Sequence, residues 1–289
     1  MFSPENILAE KTISADQLRT VVLISVVTTV RNEERNISDF LDSMVVQEQP
    51  IEVVIVDAHS HDKTVQIARD YASRFQFVRV VVHGGTRAAG RDYGVHIAKG
   101  DIVAFIDGDA IVNPFWASRI RKAMPMANVV AGRTIQIGHK PFEDLERVEL
   151  IYKGYDITFP STNLTYRKEA FLSAGGFDEW FITAEDIDLN LRAVRAGNTI
   201  HYEKDAIVYH RTRGTIYDFF RQAFWNGAGR KQLTMKHGTL WHSYRPFEMF
   251  KRQVTLWSLL RLSVALTGYL AYKMFGKRLP ATQSPIKSL

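Results

Sequence analysis

Four short runs of Val, Ile and Phe, separated by segments of helical periodicity, restrict this chain to a sheet buried on both faces. Val21-Val22-Leu23-Ile24-Ser25-Val26-Val27 is the first, and after a polar turn Ile37, Phe40, Leu41 and Met44 recur at helical spacing. Ile51-Glu52-Val53-Val54-Ile55-Val56 is the second run, Phe77 to Val82 the third and Asp101 to Ile106 the fourth. Helical stretches follow Lys63, with Val65, Ile67 and Ala68 before Tyr71, and run from Ala88 to Ala98. Strands apolar at nearly every position are buried on both sides, and parallel neighbours need a crossover helix between them. The predicted fold class is α/β, a mostly parallel, Rossmann-like sheet flanked by helices. Ligands of such sheets sit beyond the carboxyl ends of the strands. Asn32-Glu33, Asp57 and Asp107-Gly108-Asp109 all follow such ends.

Two carboxylate pairs carry the chemistry. In extended chain residues i and i+2 project to the same side, so Asp107 and Asp109 can share one hard cation, and Gly108, lacking a Cβ, leaves room for a diphosphate. An ordinary Asp-Gly-Asp turn uses the same residues. Thr183-Ala184-Glu185-Asp186 fits a capping box, and Ile187, Leu191 and Val194 give the following helix an apolar stripe. A carboxylate in that first turn can also face a cleft and act as a general base. Read singly, Asp57 is a turn cap through Ser60 and Asp62, Glu33 belongs to a charged helix start, and His210 is a histidine closing the run Ala206-Ile207-Val208-Tyr209.

Taken together the motifs form an ordered set. Ser25-Val26-Val27-Thr28-Thr29-Val30-Arg31-Asn32-Glu33 and Glu52-Val53-Val54-Ile55-Val56-Asp57 come first. Gly90-Arg91-Asp92-Tyr93-Gly94, Ile106-Asp107-Gly108-Asp109, Gly175-Gly176-Phe177-Asp178-Glu179, Glu185-Asp186-Ile187-Asp188-Leu189 and Val208-Tyr209-His210 follow. In order and approximate spacing, from about residue 20 to 213, the chain resembles glycosyltransferase family 2, inverting enzymes with the GT-A fold. It departs from that pattern at Thr29, where proline is usual, at Ala58-His59, where Asp-Gly is usual, and at Asp92, where Asn is common.

The resemblance implies that Asp57 contacts the nucleotide base, that Thr29, Arg31 and Glu33 line the nucleoside pocket, and that Arg91 and Asp107 also serve the nucleotide. It implies that Asp107, Asp109 and His210 hold Mn²⁺ or Mg²⁺, the imidazole favouring Mn²⁺. Asp186 is implied as the base that deprotonates the acceptor hydroxyl, with Glu185 orienting the acceptor. Asn163, Gly175, Gly176 and Trp225 are assigned to the acceptor and sugar pocket.

The 289 residues, 46% hydrophobic, suffice for a full α/β core. The absence of cysteine excludes disulfides and thiolate metal sites and suits an intracellular protein. The first twenty residues, a mixed polar N-terminal extension 1–20, do not read as a signal peptide. A catalytic domain then spans 21–213, and a basic, aromatic helical extension spans 214–289. In the extension Thr215 to Trp225 is aromatic, and Arg230, Lys231, Lys236, Arg245, Lys251 and Arg252 form a basic stretch. Residues 254–272 are apolar apart from Arg261 and near the minimum length for crossing a ~30 Å hydrocarbon core. Thr255, Ser258, Arg261, Ala265 and Gly268 make a small or polar stripe, which suits an interfacial helix, or a single C-terminal anchor packed against a partner. The soluble alternative packs this helix on the catalytic domain or in a homo-oligomer.

A net charge of +6 fits attraction to anionic headgroups, and no nucleic-acid motif accompanies it. Arg221-Gln222-Ala223-Phe224-Trp225 has Phe224 where processive synthases of the family carry arginine, which favours single-sugar transfer. The expected protein is a glycosyltransferase at the cytoplasmic face of the membrane, taking a UDP- or GDP-sugar donor and a lipid-linked acceptor. A sugar nucleotidyltransferase is the alternative enzyme, but Thr28-Thr29-Val30-Arg31-Asn32 lacks the glycine of its phosphate loop. A non-catalytic adaptor would have no need of all four carboxylates.

Overall fold

The computed structural model describes residues 22–138, 148–212, 215–238, 240 and 255–277. The 1–20 extension, Arg245, Lys251, Arg252 and Val254 lie outside the described residues. The first half alternates as β1 (Ile24–Val30), α1 (Ile37–Val45), β2 (Ile51–Asp57), α2 (Thr64–Arg74), β3 (Val78–Val82), α3 (Arg87–Ile97) and β4 (Ile102–Phe105). There follow β5 (Ala110–Val112), α4 (Trp116–Ala123), β6 (Val129–Ile137), the hairpin β7 (Ile151–Tyr152) and β8 (Tyr155–Asp156), and β9 (Leu164–Arg167). The chain continues through α5 (Lys168–Ser173), α6 (Glu185–Arg195), β10 (Ile200–Arg211), α7 (Ile216–His237) and α8 (Leu256–Phe275).

Eight strands form one sheet in the order β3-β2-β1-β4-β9-β6-β10-β5. The β3-β2-β1-β4 half is parallel throughout, with Val30 opposite Asp57, so the turns after β1 and β2 emerge side by side. β1 starts and ends three residues later than the apolar run suggests, because Thr28 and Thr29 continue the ladder opposite Ile55 and Val56. β-branched threonine suits a strand as well as valine does. β9 enters antiparallel between β4 and β6, and β5 runs antiparallel to β10.

One face is covered by α1, α2 and α4, through Phe40, Leu41, Met44, Tyr71, Trp116 and Ile120. The other is covered by α3, α5 and α6, through Val95, Phe171, Leu189, Leu191 and Val194. A sheet buried on both sides explains why Val53, Val54 and Ile55 are all inaccessible.

α7 and α8 pack along one another. Their backbones touch at two glycines, Gly227 against the carbonyl of Ala265 and Gly268 against that of Phe224, so neither has room for a Cβ. Ser258, Gly268 and Tyr272 are buried, while Leu256, Leu266, Leu270, Met274 and Phe275 stand exposed. The stripe of small and polar residues on α8 thus faces α7. No helix among the described residues is long and apolar enough to cross a membrane, which corrects the spanning-anchor form of the expectation for 254–272.

Candidate active site

The pairing of β5 with β10 brings together the residues of a candidate metal site. His210 sits opposite Ala110, one residue past Asp109, and on its other side opposite Gln136 of β6. His210 Nε2 lies 3.3 Å from Asp109 Oδ1 and 3.7 Å from Asp107 Oδ2. The three residues can place one ligand atom each within 4.8 Å of one another. His210 Nδ1 is 3.2 Å from Gln136 Oε1, and a proton on Nδ1 donated to that oxygen leaves Nε2 as a lone-pair donor toward the carboxylates. Two carboxylates and one such imidazole are a donor set that suits Mn²⁺ and also accepts Mg²⁺. Arg211 donates to the Asp109 carbonyl at 3.2 Å and steadies the loop. Gly108 serves packing, not the diphosphate: a Cβ there would lie 2.6 Å from Val30 Cγ1, inside the core.

Arg91 joins this site to the second carboxylate pair. Its side chain is only 2% exposed, donates from Nη2 to Asp107 at 2.9 Å and from Nη1 to Glu185 at 3.1 Å, and rests over the Phe177 ring. Thr162 Oγ1 donates to the other oxygen of Asp107 at 2.8 Å. Burial alone would raise the Asp107 carboxyl, but Arg91, His210, Arg87 and the Thr162 hydroxyl outweigh it and hold the group well below the usual carboxylate range. Glu185 also meets Arg87 at 3.5 Å. Among the described residues no such cation contacts Asp186; it accepts backbone N–H groups from Ser161 at 3.1 Å and Ile187 at 2.8 Å. Burial, and then the neighbouring Glu185 charge, push it up to about 6.

The capping box does not form. The residue before α6 is Ala184, in the left-handed region at φ 68°, and Thr183 instead donates to the Trp225 carbonyl at 2.8 Å. That hydrogen bond ties the start of α6 to α7 and leaves Asp186 outside any Thr183 cap.

At the far end the turns after β1 and β2 interlock. Asn32 N–H donates to Ser60, Glu33 N–H to Thr64, and the His61 N–H to Asn32 Oδ1, all between 2.7 and 2.9 Å. Asp57 Oδ2 accepts the Ser60 N–H at 2.9 Å, the expected turn cap, while Asp57 Oδ1 is buried with no hydrogen-bond partner. Thr29 Oγ1 is in the same condition. A buried acceptor left open at a strand end is suited to a base N–H. Arg31 is exposed beside this pocket, and Glu33 accepts from Asn36 at 2.9 Å in a helix-start role.

Asn163 does not face the cleft. Its amide is used up by Trp116, Arg133 and Ala206 between 2.9 and 3.1 Å, so the short turn Ser161–Asn163 reaches the site through Ser161 N–H and Thr162 instead. Gly175 and Gly176 adopt φ of 83° and 65°, conformations that favour glycine, in a turn whose exit Asp92 fixes by accepting the Phe177 N–H at 3.0 Å. Burial pushes Asp92 up to about 6. Trp225 lines a cavity that Glu185 and Arg87 also reach. The basic stretch of α7 is engaged internally: Lys236 pairs with Asp178 and Asp188, Lys231 lies over Tyr269, and Arg230 donates to Val148. Thr162 belongs to the stretch Ser161-Thr162-Asn163, which the family resemblance assigns to the donor-sugar side, whereas Arg87 is a contributor that the sequence reading did not single out, since its role depends on where the chain folds back.

Comparison with known proteins identifies the family and the fold. Residues 25–177 match the family model described as glycosyl transferase family 2, and residues 150–281 that of glycosyl transferase family group 2. Glycosyltransferase AglE of Haloferax volcanii is 26% identical over 232 residues, covering 75% of this chain and 75% of that protein. The dolichyl N-acetyl-alpha-D-glucosaminyl phosphate 3-beta-D-2,3-diacetamido-2,3-dideoxy-beta-D-glucuronosyltransferase of Methanococcus voltae is 23% identical over 280 residues, 86% of this chain and 83% of that one. Other matching glycosyltransferases are longer, the chain spanning about half their length (48%). The structure of mannosyltransferase PcManGT from Pyrobaculum calidifontis, in complex with GDP-Man and Mn²⁺, shares the fold at a TM-score of 0.59 and 19% identity, covering 90% of this chain and 77% of that one. With a GT-A sheet, and with a family model matched across more than half of its length, the chain belongs to glycosyl transferase family 2.

Proposed function

We propose that the protein is a metal-dependent, inverting hexosyltransferase that moves one sugar from a GDP-mannose or UDP-glucose type of donor to a lipid-linked saccharide or polyprenyl acceptor. We place it peripherally at the cytoplasmic face of the membrane. The observation that carries this reading is the buried Arg91, which bonds Asp107 of the candidate metal triad on one side and, on the other, Glu185, the neighbour of the poised Asp186. Two electrostatically linked carboxylate clusters of opposite poise are what leaving-group stabilisation and proton abstraction each require.

Asp57 Oδ1 would accept a base N–H, and Asp107, Asp109 and His210 would hold the cation. A divalent cation held by those three residues would supply the positive charge that a departing diphosphate needs. The acceptor hydroxyl attacks the anomeric carbon from the face opposite the diphosphate while Asp186 takes its proton, and the carbon–oxygen bond to the diphosphate breaks with inversion. Glu185, neutralised by Arg91 and Arg87, orients the acceptor. PcManGT holds GDP-Man with Mn²⁺, and the Methanococcus relative is named for a dolichyl-linked substrate, which supports these substrate classes. The exposed apolar face of α8 supports a membrane surface as partner.

Calorimetric titration of UDP and GDP, each with Mn²⁺ and with EDTA, tests the donor site. One nucleotide is expected to bind with Mn²⁺, and binding is expected to vanish in EDTA and in Asp109→Ala. Equal binding with and without metal would contradict the triad's role, and no binding of either nucleotide would favour the adaptor reading.

A further inference from the structure

We infer that the cavity between the α7–α8 pair on one side and the start of α3 with the segment 179–185 on the other seats the isoprenoid chain of the acceptor, with Arg87 and Lys277 receiving the phosphate that joins chain to sugar. The inference deepens the glycosyl-transfer reading and rests on it. The cavity holds about 650 Å³, within the roughly 300–1,000 Å³ typical of small-ligand sites. Its walls are mostly apolar and include the rings of Trp180, Phe181, Phe224, Trp225, Tyr272 and Phe275. A free sugar would need hydrogen-bonding groups across these walls; a branched hydrocarbon needs none.

The polar lining is concentrated where chemistry would occur. Glu185 lines the cavity, so a chain seated there brings its head group beside the residue adjoining Asp186. Arg87 lines it as well, its side chain about half exposed (51%) and 3.5 Å from Glu185. Lys277 adds a second cation at the α8 end. Glu179, which accepts from Thr86, is a second carboxylate in the lining, so two cations and two carboxylates share the margin of an apolar chamber, and an anionic head is received where Arg87 and Lys277 stand. Trp180 also carries a buried indole N–H without a hydrogen-bond partner.

The rim supplies the way in. Phe275 lines the cavity and is 85% exposed, and Met274, Leu270 and Leu266 extend the apolar surface along the outer face of α8. The far end of a long chain can follow that face to a bilayer while its first units occupy the cavity. On this account α8 is part of the substrate site, and the apolar pattern of 254–272 reflects a lipid path instead of a span.

The test is titration of the full chain with geranylgeranyl monophosphate, read by calorimetry and tryptophan fluorescence, beside a Mn²⁺–nucleotide titration of the same sample. The wild type should bind one equivalent, and geranylgeraniol should bind about tenfold more weakly or worse for want of the charged hydrogen bonds. Ala271→Trp fills the cavity from α8, and Phe275→Glu places a charge on an exposed rim where folding is not at risk. Each should weaken isoprenoid-phosphate binding about tenfold or more, with nucleotide affinity held within about twofold. Nucleotide binding without isoprenoid binding would overturn this inference and leave glycosyl transfer standing. Variants that bind the probe as the wild type does would overturn the cavity as its seat, and equal binding of geranylgeraniol would overturn the phosphate role. Loss of both ligands in the wild type would overturn the proposed function and this inference together.

Discussion

Glu185 and Asp186 are adjacent in sequence and opposite in circumstance. Two arginines neutralise Glu185, while among the described residues backbone N–H groups alone contact Asp186, which burial and the Glu185 charge push up to about 6. At neutral pH Asp186 is ionised and still basic enough to accept a proton, the condition a general base needs. Transfer should therefore lose rate as pH falls through about 6, because protonation removes the base. In Glu185→Gln the like charge is gone and Arg91 is freed to favour the ionised Asp186, so the acid limb of the pH–rate profile should move to lower pH. A limb that stays in place or rises would contradict the assignment. Sequence identified both carboxylates but not their poise, which depends on Arg87, Arg91 and Ser161, residues brought in from α3 and the turn before β9. The capping reading failed because Thr183 is engaged by the Trp225 carbonyl, a contact that no local spacing encodes.

Among the elements, α6 is fastened to α7 by a buried charge cluster. Asp188, wholly inaccessible, meets Arg192, Lys236 and His237 between 2.6 and 2.8 Å. Burial raises its carboxyl, but His237, Arg192 and Lys236 together hold it well below the usual range. Asp188→Ala leaves Arg192 and His237 without their anion, and Lys236 with Asp178 alone, and should cost roughly 3–5 kcal/mol in chemical denaturation at neutral pH. Because the folded-state carboxyl is depressed, its contribution is present above the ordinary carboxylate value and lost as pH falls toward the folded one. The difference between wild type and variant should accordingly shrink in acid. A deficit below about 1 kcal/mol at neutral pH would show the cluster to be dispensable. Gly268→Leu should separate α8 from α7, seen as faster proteolysis within α8, with the sheet's unfolding transition unchanged; an unaltered cleavage rate would contradict the close crossing. The strands and helices up to β4 were legible because Val and Ile runs alternate with helical periodicity. β5 and β9 were not, since neither Ala110–Val112 nor Leu164–Arg167 lies in a Val, Ile and Phe run as long as the one from Asp101 to Ile106 that marks β4. The α8 stripe was legible as a packing face, while its partner was not, since nothing in an apolar segment distinguishes a neighbouring helix from a bilayer.

Across the whole molecule, the topology performs the assembly. Parallel β1, β2 and β4 bring Asp57 and Asp107 to one edge, the antiparallel β5–β10 pair delivers His210 to Asp109, and Arg91 links that edge to α6. Asn163 was misassigned because the sequence marks the turn Ser161–Asn163 without saying which of its side chains is spent holding Trp116 and β6. We propose this edge as a donor site served by a separate base. The most direct test is Asp186→Asn, assayed for sugar transfer and for Mn²⁺–nucleotide affinity on the same preparation. The account predicts a fall in kcat of about 10²–10⁴-fold with nucleotide affinity unchanged, since a positioned base contributes on that order and Asp186 lies outside the metal triad. Transfer at the wild-type rate, or loss of nucleotide affinity in step with kcat, would contradict it.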